Sequence, residues 1–87
     1  MHEMSLLNSL MNKLHEVAAH SGGRRVVALR VRLGALSHFS PEHFREHFAI
    51  ASKGTLAEGA RLELQVMGDI HDPDAQGVVL ESIECEV

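Results

Sequence analysis

Seven histidines in 87 residues carry most of the donor chemistry available to this chain. The first stands in Met1-His2-Glu3, directly ahead of an apolar-periodic segment. A methionine followed by a bulky residue is not normally trimmed, so Met1 is expected to keep its amine. An α-amine titrates at roughly 7.7–8.0 and an imidazole at about 6.5. The Met1 amine, the His2 backbone nitrogen and His2 Nδ1 can close fused five- and six-membered rings on one ion. This nitrogen set suits square-planar Ni(II) or Cu(II), the two ions that most readily displace an amide proton. Glu3 adds a counter-charge, which offsets the positive end of a following helix, or an outer ligand. The other reading of His2 is a solvated terminal residue.

The remaining histidines offer less. His43 and His47 lie one helical turn apart. With Glu46 they match an H-x-x-E-H pattern, but the chain is small for a protease cleft and shows no third ligand. A solvated or boundary pair is expected. His15-Glu16 with His20 misses H-E-x-x-H by one residue. His38 and His71 fall in loops, from which either could reach the terminus as a remote metal ligand or remain a plain loop residue. Cys85, the single cysteine, cannot form an internal disulfide and reads as a small core residue. No glycine-rich phosphate loop and no nucleophile–base set is present.

The elements that must position these groups follow from periodicity. Over 3–20, Leu7, Leu10, Met11, Leu14, Val17 and Ala18 make one helical stripe, ended by Ser21-Gly22-Gly23. Residues 24–33 alternate as a strand, with Val27, Leu29, Val31 and Leu33 inward and Ala28, Arg30 and Arg32 outward. A second helix begins with Ser40 as N-cap and Pro41 at its first position. Phe39 and Phe44 form a hydrophobic staple; Phe44, Phe48 and Ala51 form the buried face. Gly54 stops this helix. Thr55 to Glu58 has capping-box spacing and predicts one further helical turn. Residues 60–67 form a strand with Leu62, Leu64 and Val66 inward, and 68–77 is a turn by composition. The last strand carries Ile83, Cys85 and Val87 on one face. Val78 and Leu80 are out of phase with them, which predicts a β-bulge near Glu81-Ser82.

The expected fold class is therefore α+β: two helices on one face of a mixed three-stranded sheet, in the order α-β-α-β-β. The strand–helix–strand unit should be a right-handed crossover with parallel strands. The last two strands should be antiparallel if they are neighbours. The Arg-bearing outer face stays wet or meets a partner.

Composition sets the class. Apolar residues make up 45% and charged residues 23%, as in a globular domain, and the length suits one domain. All three aromatic residues are Phe, so the core must be mainly aliphatic. A net charge of −4 argues against a nucleic-acid partner. No membrane span or leader peptide is expected, and the cysteine usage points to a reducing, cytoplasmic setting.

Several segments together resemble the HypA/HybF nickel metallochaperones of [NiFe]-hydrogenase maturation. They are MHEMSLLNSL, RVRLGALS, PEHFREHF, KGTLAEGARLEL and the closing VLESIECEV, in the family's order. The most specific are MHE and the stretch Gly54, Thr55, Glu58, Gly59, Ala60 and Leu62. The resemblance implies a nickel site at Met1, His2 and Glu3, with His2 indispensable. It implies binding and transfer rather than catalysis, exchange with a HypB-type GTPase, and delivery to the hydrogenase large subunit or in some cases to urease. Members of the family insert a zinc ribbon with two CxxC pairs before the last strand. Here the turn at 68–77 stands in its place, so a zinc-free short form is expected, with residues 1–87 as one nickel-binding domain. His71 could replace a ligand lost with the ribbon. A homodimer through an exposed edge strand is conceivable. The competing function is a non-metal-carrying adaptor that docks a hydrogenase precursor or the GTPase.

Overall fold

The computed structural model describes residues 3–86. The expected metal ligands Met1 and His2 and the expected inward-facing Val87 lie outside the described residues.

Helix α1 runs Glu3–His20 and buries Leu6, Leu7, Leu10, Met11, Leu14 and Ala18. Leu6 joins the expected stripe, while Val17 is only half-buried. The helix closes on a two-bond C-terminal motif: Gly23 N donates to the Ala18 carbonyl at 2.9 Å and Gly22 N to Ala19 at 3.2 Å.

Strand β1 spans Val26–Leu33, helix α2 Pro41–Ala51, strand β2 Arg61–Val66 and strand β3 Val78–Cys85. The sheet order is β2-β1-β3. β2 runs parallel and β3 antiparallel to the central β1. The expected α-β-α-β-β fold is the one observed. The last two strands are not neighbours; β1 separates them.

One hydrophobic core joins α1, α2 and the inner face of the sheet, with Leu7, Leu14, Val31, Leu33 and Phe44 fully buried in it. α1 packs over β3 and α2 over β2. Burying such side chains is the dominant stabilising term for a chain of this size. The expected start of α2 is also present. Ser40 Oγ accepts from His43 N, and Pro41 fills the first turn. The Phe39 and Phe44 rings meet edge-to-face at 5.0 Å.

Three local expectations are corrected. Val27 is exposed and Val26 buried. The β1–β3 register steps from Val26 opposite Cys85 to Ala28 opposite Glu84, leaving Val27 as the extra residue of a bulge. Val66 is also exposed, because β2 is an edge strand and neither helix covers its end. Thr55 to Glu58 forms hydrogen-bonded turns and not a helical turn. Glu58 Oε1 accepts from Gly54 N at 2.8 Å rather than from Thr55, and Thr55 Oγ1 accepts from Ala57 N. The bulge expected near Glu81-Ser82 is present. Arg30 pairs with Ser82 and Val31 with Leu80, which leaves Glu81 without a partner.

Candidate metal centre

Glu3 opens α1 and is half-buried. In this first turn the backbone N–H groups lack intrahelical partners, and a carboxylate is electrostatically favoured there. Met4 and Ser5 face solvent, while Leu6 and Leu7 tie the same turn into the core. Packing of Leu6 and Leu7 thus holds in place the helix end that carries Glu3. The other two residues of the expected nickel site, Met1 and His2, lie outside the described residues.

His38 is exposed on the loop before α2 and takes a left-handed backbone, φ 59°. Polar and aromatic residues of this kind adopt that region more readily than branched ones. It lines a shallow cavity with Leu36, Ser37 and Gln76. His71 is exposed in the β2–β3 connection, where its N–H donates to Asp69 Oδ1 at 2.9 Å. Among the described residues, no group of three or more His, Cys, Asp or Glu side chains is arranged to hold a metal. The two remote candidates are therefore not drawn into a described ligand cluster.

His43 and His47 face each other on α2 with ring centroids 6.4 Å apart. His43 is exposed and His47 half-buried. The alternating Phe44 and Phe48 point into the core. His20 Nδ1 lies 2.8 Å from the Glu16 carbonyl, a local contact near the end of α1.

The β2–β3 connection contains no cysteine. Cys85 is free and packs beside the core from β3. One thiol cannot supply the paired thiolates of a ribbon-type zinc site, so the cysteine present does not form a site of that type.

Two functional-looking features were not anticipated. The first is the role of the Gly54–Leu62 stretch. Gly54 and Gly59 both have φ 76°, a conformation that costs other residues appreciably. Ala57 is fully buried. Val26 N donates to the Leu56 carbonyl at 2.9 Å, and Arg25 Nη2 donates to the Glu58 carbonyl at 2.8 Å. This stretch is a clasp between the end of α2 and the start of β1. The second is the outer sheet face. Arg30 Nε lies 3.2 Å from Glu63 Oε2, Arg32 Nε 3.4 Å from Glu81 Oε2, and Arg61 Nη2 3.7 Å from Glu63 Oε1. The expected row of arginines is therefore matched by carboxylates. Cross-strand alternation gave the arginine positions, but only the register brings Glu63 and Glu81 beside them.

No helix among the described residues is long and apolar enough to cross a membrane. Residues 1–70 match the family model for HypA, described as hydrogenase/urease nickel incorporation, metallochaperone. Proteins named hydrogenase maturation factor HypA are similar over the same scale. The one from Archaeoglobus fulgidus is 41% identical over 66 residues, covering 76% of this chain and 60% of the relative. That from Methylocella silvestris is 40% identical over 67 residues, covering 77% and 59%. That from Roseiflexus sp. is 43% identical over 65 residues, covering 75% and 53%. The chain thus spans less than two thirds of the length of these relatives. With a family match running from Met1 through β2, this chain belongs to the HypA family.

Proposed function

We propose that the chain is a nickel-binding domain of the metallochaperone type, acting by capture and transfer of Ni(II) and not by catalysis. Residues 1–87 would work as one domain, with 68–77 as the bridge between its last two strands. The observation that carries this reading is the HypA match over residues 1–70, which includes Met1, His2 and Glu3. The Met1 amine, the His2 amide nitrogen and the His2 imidazole would hold the ion, with Glu3 balancing its charge. Three nitrogen donors would leave a fourth square-planar position free, through which a receiver with a better donor set could displace the terminus. The receivers would be a HypB-type GTPase and the [NiFe]-hydrogenase large subunit, or a urease counterpart, in the cytoplasm.

The test is a Ni(II) titration of protein starting at Met1, by calorimetry and visible absorption, beside His2→Ala. One equivalent bound, with a ligand-field band that the variant lacks, supports the terminal chelate. Binding that is absent, or equal in both proteins, overturns it and leaves the adaptor role.

A further inference from the structure

We propose that His43 and His47 form a second divalent-metal site on the outer face of α2, independent of the terminal residues. It would take a borderline transition ion such as Ni(II), Cu(II) or Zn(II), held by two imidazoles and completed by water. Imidazole donors select these ions over Mg(II) and Ca(II).

The placement supports bidentate binding. The residues are four apart on one helix, which stacks their side chains on one face. Their rings already stand opposite each other, with centroids 6.4 Å apart and planes at 82°. A shared ion at about 2.0–2.1 Å from each nitrogen requires the rings to close further, by rotation of the exposed His43 and the half-buried His47 side chains. The backbone beneath does not have to move. Phe44 and Phe48, which alternate with the two histidines, are 0% and 3% exposed and fix this turn of α2 to the core.

The surrounding charge also favours a cation. Glu42 and Glu46 are exposed on the same helix, and neither forms an ion pair among the described residues. They offset the positive end of the helix, which otherwise opposes an ion near His43. Arg45, the cation between them in sequence, is turned away: its Nη1 donates to the Leu62 carbonyl at 2.7 Å. No third side chain completes the site among the described residues, so binding should be weaker than at a closed four-ligand site.

The test adds Ni(II) alone to the His2→Ala protein and follows the histidine-ring NMR signals. This background separates the second site from the terminal one. We expect the His43 and His47 rings to broaden before the others, and the melting temperature to rise with added metal. His43→Gln and His47→Gln each leave one imidazole and should weaken binding by about tenfold or more, because the second donor no longer acts at high effective concentration. His43 is exposed and His47 only half-buried, so the fold should persist in both variants, as far-ultraviolet circular dichroism will show. Broadening spread evenly over all the histidines, or affinity unchanged in the two Gln variants, overturns the site.

Discussion

Arg45 on α2 donates from Nη1 to the main-chain carbonyl of Leu62 across 2.7 Å. The bond matters because of where that carbonyl points. Met67 N donates to the Leu33 carbonyl, and Leu33 pairs with Val66 in the parallel ladder. The odd-numbered residues of β2 therefore bond to β1. Leu62, Leu64 and Val66 turn their backbone groups toward the free edge. Arg45 occupies the first of these acceptors with a charged side chain, a known way of blunting an edge strand.

Arg45→Met keeps most of the aliphatic stem and removes the donor. It should cost about 1 kcal/mol of stability, the usual net worth of such a bond, read from urea denaturation. It should also increase self-association with protein concentration, since the Leu62 carbonyl on the edge of β2 then loses its side-chain donor. A variant as stable and as monomeric as the parent in sedimentation would show that Arg45 does not guard this edge.

The bounds of α1 and the N-terminal signals of α2 were legible in the sequence, because they depend on contacts within a few residues. Ser40, Pro41 and the Phe39–Phe44 staple lie within one turn of each other. What failed depended on the neighbours. Val27 and Val66 sit in alternating runs, but a bulge against β3 turns the first outward and an edge position exposes the second. Glu58 has the spacing of a capping box, yet its carboxylate reaches Gly54 because the chain turns there at φ 76°. Local spacing cannot reveal a register or a positive φ. At the candidate site, residue chemistry and family resemblance named Met1, His2 and Glu3, while packing shows only how α1 anchors Glu3.

The Phe39–Phe44 contact should be measurable as a coupling. Both rings are buried and meet edge-to-face at 5.0 Å. A double-mutant cycle of Phe39→Leu and Phe44→Leu should give a coupling energy of about 0.5–1.5 kcal/mol, the range for aromatic pairs beyond simple burial. Strict additivity would mean that the two residues contribute to the core separately and do not staple the entry to α2.

Gly34 closes β1 against the β2–β3 connection. Its N–H donates to the Gly77 carbonyl at 2.9 Å, and Leu36 N donates to the Ala75 carbonyl at 2.6 Å. A Cβ on Gly34 would run into the backbone of Asp74 and Ala75. Gly34→Ala should therefore cost about 2–3 kcal/mol, as over-packing of a tight contact does. Gly68→Ala is the control: a Cβ there meets nothing within 4 Å, so its effect should stay within about 0.5 kcal/mol. Equal melting temperatures for the two variants would refute the close approach.

Nickel binding at the terminal residues should depend on pH in a direction set by the donors. The imidazole and the amine bind metal only when unprotonated, and the amide nitrogen must lose its proton to bind. Protons therefore compete with Ni(II), and affinity should fall as pH falls, by about tenfold per pH unit for each proton displaced. Between pH 8 and pH 6 the amine and then the imidazole gain protons, so the loss should steepen across that range. Calorimetry in two buffers of different ionisation enthalpy counts the protons released. One residue added ahead of Met1 would turn the amine into an amide and remove that donor, leaving His2 in place. The extended protein should bind Ni(II) more weakly and release a different number of protons. If affinity and proton count are the same with and without the added residue, the amine is not a ligand. If in addition the affinity does not change between pH 8 and pH 6, His2 is not one either.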